Sequence, residues 1–184
     1  EGTEESPYII DSAEKLAQLC RYGCEANVYY KVDDSIKAFD MNTVAGVDLT
    51  VDNITANEVK TAVADKILGK VWFCDGVFKG NFDGNGVIIS GIRTTVNHAY
   101  AALFPQIKGD VTIKNVTVVN SYLYGKTAVG GFIGSQVYNS ADGVVHTIRV
   151  ENCSIYDCHL ESSHSSTGVG AIAGYIANSC NPGT

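Results

Sequence analysis

An internal repeat in the second half of the chain restricts its fold more than any other sequence feature. Residues 111–125 read VTIKNVTVVNSYLYG, and residues 146–162 read HTIRVENCSIYDCHLES. The two segments align when Asn115 is set against Asn152, at an offset of 37 residues. A repeat of this size, made of short strands and turns, cannot enclose a core alone, so its copies must stack on one another.

Gly-rich apolar segments bracket the two copies of the repeat. They read AALFPQI from residue 101, GGFIGSQ from residue 130 and GAIAGYI from residue 170. Counted from Leu103 to Phe132 and from Phe132 to Ala171, they lie 29 and 39 residues apart, which indicates loops of unequal length. The pattern favours an all-β solenoid, and an antiparallel sandwich is the alternative for such strands.

The composition argues against several classes of protein. Apolar residues make up 45% of the chain and charged residues 18%, unlike the composition of disordered chains. The formal net charge is -7 and the 13 Lys and Arg residues are scattered, so we expect no nucleic-acid partner. No apolar run approaches the roughly 18 residues that a membrane-spanning helix needs, so we also expect no membrane insertion.

A first helix is predicted over residues 12–22. Asp11 and Glu14 form a capping-box-like pair at its start, and the glycine at position 23 ends it. Leu16 and Leu19 lie on one apolar stripe of this helix. Because the strand edges at the end of a stack need protection, we expect the helix to cover the N-terminal end of the solenoid.

A second helix is predicted inside an insertion at residues 43–70. Thr55 provides its cap, and a glutamate follows three positions later. We therefore expect a single domain over residues 1–184. It comprises an N-terminal cap with the first strands at 1–42, the insertion with its helix, and repeated coils at 71–184.

One phrase of the sequence resembles a known family. The segment FKGNFDGNGVIISGI at 78–92, followed by ALFPQI, VTIKNVTVVNS and VGGFIGS, resembles the GLUG repeats of bacterial surface proteins. The segments PYIIDSAEKLAQL and YYKVDDSI also resemble the helix and strand that precede such repeats. Departures occur at Phe104-Pro105, where the family has F-G, and at AIAG near the C-terminus, so the last coils are expected to be irregular.

The GLUG resemblance has implications for fold and function. It implies a right-handed parallel β-helix with an N-terminal capping helix, within a large exported protein such as an adhesin or an immunoglobulin A peptidase. It also implies that the module itself has no catalytic residues. The expected localisation is therefore extracellular or at the bacterial cell surface.

The sharpest local motif is Asp83-Gly84-Asn85-Gly86. Asn-Gly supplies two residues that tolerate positive φ, so the motif predicts a tight β turn with a structural role. Asp83 and Asn85 are also spaced as in a calcium-binding loop. Thr94 occupies the position where that loop needs a glutamate, which argues against calcium.

Asn115 and Asn152 occupy equivalent positions in the two copies of the repeat. We predict that each lies at a corner of the solenoid and that its side-chain amide bonds to the backbone or to the next asparagine. Both also begin glycosylation sequons, NVT and NCS. The bacterial origin that the resemblance implies argues against that modification.

The chain has an even number of cysteines, which favours an oxidising, extracellular setting. They are Cys20, Cys24, Cys74, Cys153, Cys158 and Cys180. Cys153 and Cys180 are predicted to form a disulfide, because they could occupy similar places in consecutive coils. The alternative is that some cysteines serve as small buried apolar residues.

No catalytic, metal or cofactor site is predicted, and the chain is not expected to be an enzyme. The four histidines fall in loops or at strand ends with no catalytic arrangement of carboxylates around them, and no nucleophile motif is visible. Cleavage of a polysaccharide would need two carboxylates roughly 5 to 10 Å apart. Asp33 with Asp34, and Asp75 with Asp83, are the candidate pairs.

The expected function is that of a noncatalytic surface module for adhesion, display or head-to-tail assembly. Its partner would be a protein or a glycan, and Tyr122, Tyr124 and Tyr156 mark a candidate ligand face. The alternative is a carbohydrate-binding or polysaccharide-cleaving β-helix domain. Because a terminal coil offers its hydrogen-bonding edge to other chains, self-association through the C-terminal coil is also expected.

Overall fold

The computed structural model describes residues 1–41, 76–94, 99–137, 144–164 and 168–176. In these ranges the chain consists mostly of short strands with one α-helix, and the sheets are parallel. The all-β class is therefore confirmed. The helix predicted in the insertion at 43–70 lies outside the described residues.

The N-terminal part contains three strands and the helix. They are β1 (Tyr8–Ile10), α1 (Ala13–Tyr22), β2 (Tyr29–Val32) and β3 (Ala38–Asp40). Ser12, rather than the predicted Asp11, caps α1, because its hydroxyl accepts a hydrogen bond from the Lys15 N–H at 3.3 Å. Asp11 instead pairs with the Lys15 ammonium at 2.7 Å. Gly23 ends the helix as predicted, with φ of 70°.

Helix α1 packs against β1 and against β4 (Val77–Phe78). Leu16 and Leu19 are buried, as the apolar stripe predicted, and Cys20 is buried beside them. Fully burying a leucine stabilises a fold by about 1.5–3 kcal/mol, so tertiary packing holds this ten-residue helix in place.

The remaining strands fall into three repeats. The first repeat contains β5 (Asn81–Ser90), β6 (Tyr100–Ala101) and β7 (Phe104–Ile107). The second contains β8 (Val111–Val119), β9 (Tyr122–Gly125), β10 (Ala128–Gly130) and β11 (Ile133–Gln136). The third contains β12 (Ile148–Glu151), β13 (Ser154–Tyr156), β14 (His159–Ser162), β15 (Val169–Gly170) and β16 (Ala173–Tyr175).

Each strand of the second repeat pairs in parallel with the third repeat, and all but β9 also pair with strands of the first. The sheet orders are β1-β2-β5-β8-β12, β6-β10-β15, β4-β7-β11-β16 and β9-β14, with β3 also on β5 and β13 also on β8. On its other side, β9 meets the first repeat through a single bridge between Tyr122 and Arg93. Every strand pair in the described ranges is parallel, which contradicts the antiparallel sandwich.

The register agrees with the sequence repeat in two of three places. Val111 lies opposite Ile148, an offset of 37 residues, and Phe104 lies opposite Ile133, an offset of 29. Between the second and third Gly-rich segments the offset is 40 residues rather than the predicted 39, because Ile133 pairs with Ala173. The Phe132 N–H accordingly donates to the Ile172 carbonyl at 3.2 Å. The sequence alone could not decide between offsets of 39 and 40, since Phe132 would then face Ala171 or Ile172 and both are apolar.

The core is built from residues at alternate positions of the strands. In β8 the buried residues are Val111, Ile113, Val116 and Val118. The period of two is interrupted once, at Lys114 and Asn115, where two consecutive side chains point away from the core. This interruption is where the candidate site begins.

Candidate functional site

The Asp83–Gly86 motif forms a bulge within β5. Asn85 and Gly86 have φ of 54° and 81°, in line with the positive φ predicted for Asn-Gly. The chain does not reverse there, so the prediction of a tight turn was wrong in that respect. Asp83 pairs with Lys114 and Val87 with Val116, so residues 84–86 all lie opposite the single residue Asn115.

Asp83, Asn115 and Asn152 form a hydrogen-bonded row across the three repeats, which we call the corner ladder. The Asn115 Nδ2 donates to Asp83 Oδ1 at 2.8 Å, and the Asn152 Nδ2 donates to Asn115 Oδ1 at 2.9 Å. Both asparagines have positive φ, 58° and 54°. Asparagine tolerates this conformation better than most residues, so its backbone and its side chain both suit the position.

Asp83 anchors one end of the corner ladder as a carboxylate. Burial raises the pKa of Asp83, but the hydrogen bonds from the Asn115 amide and the Asn85 N–H, together with the Lys114 ammonium, outweigh it. The net result is a pKa below the ordinary value of 3.8. Asp83 is therefore ionised at neutral pH and can only accept hydrogen bonds.

We expect Asp83→Asn to lower the free energy of unfolding by about 1–2 kcal/mol at neutral pH, because charge-assisted hydrogen bonds are lost. Because the pKa of Asp83 is lower in the folded protein than in the unfolded protein, its ionisation stabilises the fold at every pH above the unfolded pKa. This stabilisation is lost as the pH falls through the folded pKa. The difference in free energy of unfolding between the wild type and Asp83→Asn should therefore become smaller at acidic pH. Urea unfolding at several pH values measures it.

Asp11→Asn is the matched control for this experiment. The pair between Asp11 and Lys15 is about half exposed on both sides, so its loss should change stability by about 0.5 kcal/mol or less. A loss for Asp83→Asn that stays constant down to strongly acidic pH would contradict the role of the ionised carboxylate.

A second row of positive φ runs beside the corner ladder. Gly91, Asn120 and Asp157 lie in register after β5, β8 and β13, with φ of 74°, 51° and 49°. This row was not predicted from the sequence. The 37-residue offset already sets Asn120 against Asp157 and could have revealed it.

Charged residues of alternating sign lie in register beside the corner ladder. Lys31 pairs with Asp83, Asp83 with Lys114, and Lys114 with Glu151, across β2, β5, β8 and β12. We call these four residues the charge column. The Lys114 ammonium lies 3.4 Å from the Asp83 carboxylate, and opposite charges on facing strands stabilise a sheet.

The third repeat is less buried than the second. The core-facing residues of β8 are fully buried, whereas Ile148, Val150, Ile155, Leu160 and Ala173 pack on the core but remain partly exposed. We call these five residues the open face. Three of these residues lie in β12 and β13, which pair with β8 and with no other strand in the described ranges.

The three tyrosines predicted to share an exposed ligand face do not share one. Tyr122 and Tyr124 are only 5% and 8% exposed, whereas Tyr156 is 59% exposed and lies in β13, on another sheet. The Tyr122 ring stacks on His159 with centroids 4.9 Å apart. Composition suggested exposed aromatics, but packing buries two of the three.

The described cysteines are free thiols. Cys20, Cys24, Cys153 and Cys158 form no disulfide, and Cys180, the predicted partner of Cys153, lies outside the described residues. The Cys153 Sγ instead contacts the Glu151 carbonyl at 3.2 Å. Burial raises the pKa of the Cys153 thiol.

The neighbouring carboxylates Asp33 and Asp34 serve local contacts. Asp33 accepts a hydrogen bond from the Ser35 N–H, and Asp34 from Lys31 at 2.7 Å and Asn85 at 2.6 Å. The candidate carboxylates Asp33 and Asp34 are thus engaged within the fold. No group of three metal-ligating side chains occurs in the described ranges.

Comparison with known proteins adds no family assignment. A scan against protein-family models finds no matching family, and searches of curated proteins and of solved structures find no match. Within the part of the chain that the structure describes, no helix has the length and apolar character needed to cross a membrane. What is established is a strand-rich protein with one described helix and parallel sheets.

Proposed function

We propose that the chain is a noncatalytic right-handed parallel β-helix module of a bacterial surface protein, used for adhesion, display or assembly. In this proposal each repeat is one coil, and the open face is the surface through which the module meets its partner. The observation that carries the proposal is a contrast between core-facing residues, which are fully buried in β8 of the second repeat and partly exposed in the third repeat.

The roles of the GLUG-like phrase support this proposal. Phe78 and Phe82 are fully buried in the core. A side chain at Gly84 would overlap the Asn115 carbonyl and the Val116 side chain of β8. The close approach of β8 therefore requires glycine at this position of β5. The phrase thus serves packing and the bulge.

The carbohydrate alternative has less support. An exposed aromatic row beside two convergent carboxylates would favour it. Two of the three candidate tyrosines are buried, and Asp33 and Asp34 are engaged in local hydrogen bonds. We therefore propose a protein partner.

We expect the wild-type chain to associate reversibly as its concentration rises, because an exposed strand edge and an apolar face promote pairing. Val150→Lys should reduce this association. The new ammonium can extend to the open side while its methylene stem still packs on Ile113. Sedimentation velocity over a concentration series measures the effect.

Arg149→Lys is the matched control, because it places a lysine in the same strand but outside the open face and keeps the positive charge beside Glu151. It should associate like the wild type. Circular dichroism should show that both variants remain folded. A wild-type chain that stays monomeric at every soluble concentration, or a Val150→Lys variant that associates equally, would overturn the proposed function.

A further inference from the structure

We propose that the edge of β12 and β13 binds one further parallel β-strand that carries the dipeptide Lys-Asn, with its lysine opposite Glu151 and its asparagine opposite Asn152. This inference rests on the proposed function, since it names the partner of the open face. Three features of the edge define that partner. They are the alternating apolar positions, the donor-to-acceptor direction of the hydrogen bonds in the corner ladder, and the negative charge of Glu151 at the end of the charge column.

The apolar pattern sets the spacing of the incoming strand. Ile148, Val150 and Ile155 lie opposite Val111, Ile113 and Val118 and are partly exposed on the side away from β8. A strand that covers them needs apolar residues at the same alternate positions. Strand β8 itself has this pattern, and covering it on both sides leaves its core-facing residues fully buried.

The corner ladder has a direction that its first member determines. Because the ionised Asp83 only accepts hydrogen bonds, Asn115 must turn its Nδ2 toward it and present Oδ1 to the third repeat. Asn152 donates to that oxygen at 2.9 Å. Its own Oδ1 therefore faces the open side as an acceptor, and the incoming residue there must be a donor such as asparagine.

The charge column specifies the neighbouring residue. It alternates from Lys31 through Asp83 and Lys114 to Glu151, which is 53% exposed on its side chain and lies 3.5 Å from Arg149 in its own strand. A strand that continues the alternation places a lysine opposite Glu151. An acidic residue there would repel it.

The N-terminal strand of a second copy can pair with this edge through its backbone, which allows the weak association expected above, but it does not meet the charge and side-chain hydrogen-bond requirements. In β1 the residue in register with the charge column is Ile9, which pairs with Lys31. Strand β1 ends at Ile10, and α1 begins three residues later at Ala13, so no asparagine follows. The segment that fits is the type found at 111–120, VTIKNVTVVN, in which Lys114 and Asn115 are adjacent.

The probe is a synthetic peptide with the sequence of residues 111–120, blocked at both ends and labelled for fluorescence anisotropy against the full chain. We expect it to bind, and we expect its Lys114→Glu version to bind roughly fivefold more weakly. The protein variant Glu151→Lys should reverse this preference. In the peptide, Asn115→Asp should weaken binding roughly tenfold, because a carboxylate would face the Asn152 oxygen.

Register is tested by disulfide trapping at Cys153. A peptide with Val116→Cys, supplied as its mixed disulfide with 5-thio-2-nitrobenzoate, places its sulfur beside Cys153, which lies opposite Val116 in the existing pair of repeats. The Cys153 thiolate attacks the peptide sulfur and releases the thionitrobenzoate anion. A peptide with Val119→Cys, whose sulfur would lie about 10 Å away, is the control, as is the protein variant Cys153→Ser.

Preferred trapping at the Val116 position together with the charge reversal supports the inference. Failure of the peptide to bind, equal trapping at both positions, or binding unaffected by charge reversal would overturn it. If the peptide fails while the wild-type chain still associates and Val150→Lys does not, the proposed function stands and only the Lys-Asn partner is wrong. If the chain also fails to associate, both fall.

Discussion

Replacing Phe104 with alanine is expected to lower the free energy of unfolding by about 3–5 kcal/mol, the largest loss that we predict. Phe104 is 1% exposed, and its ring stacks on Phe78 with centroids 4.3 Å apart. It also meets the edge of Phe82 at 5.5 Å. Because β7 is paired on both sides, the surrounding strands cannot collapse into the space that the ring leaves.

Denaturant unfolding followed by circular dichroism measures this loss as a shift of the transition midpoint. Gln106→Ala is the matched control in the same strand, because this side chain is only partly buried and lies outside the apolar core. It should change stability by about 0.5 kcal/mol or less. Equal losses for both variants would show that the aromatic cluster is not a centre of the core.

Asn115→Val is expected to lower the free energy of unfolding by about 2–4 kcal/mol. A β-branched residue is strained at the φ of 58° that Asn115 adopts. The substitution also removes the hydrogen bonds to Asp83 and from Asn152, and it leaves the Asp83 carboxylate without that donor. Both effects act in the central repeat, which pairs on both sides.

Asn115→Gly separates the two causes. Glycine adopts the positive φ without strain, so this variant loses only the side-chain hydrogen bonds and should be destabilised by about 1–2 kcal/mol. Thermal unfolding of the two variants beside the wild type gives the comparison. A valine variant as stable as the glycine variant would contradict backbone strain at this corner, and two variants as stable as the wild type would contradict the corner ladder.

Much of the architecture could be predicted because parallel strands place like residues opposite like residues. The 37-residue offset between Asn115 and Asn152 is visible in the sequence and reappears as a hydrogen bond between their side chains. The stripe of Leu16 and Leu19 predicted the buried side of α1. Local chemistry was enough in these cases, since helical and period-two spacing and tolerance of positive φ depend on nearby residues.

Other features depended on contacts between distant segments. Composition could not distinguish a turn from a bulge at Asn85 and Gly86, because both need positive φ and only the pairing of both flanks with β8 decides between them. The 40-residue register at Ile133 and Ala173 was missed for a similar reason.

By itself, the sequence determined the strand-rich class, the repeat, the N-terminal helix and the corner asparagines, because each of these follows from periodicity or from one residue's backbone preference. Only the tertiary structure decided that Tyr122 and Tyr124 are buried, that Lys114 faces Asp83 and that the third repeat is left partly exposed. Burial and charge pairing are properties of neighbours brought together from about 30 residues away, and they appear only when the strands have been placed in register.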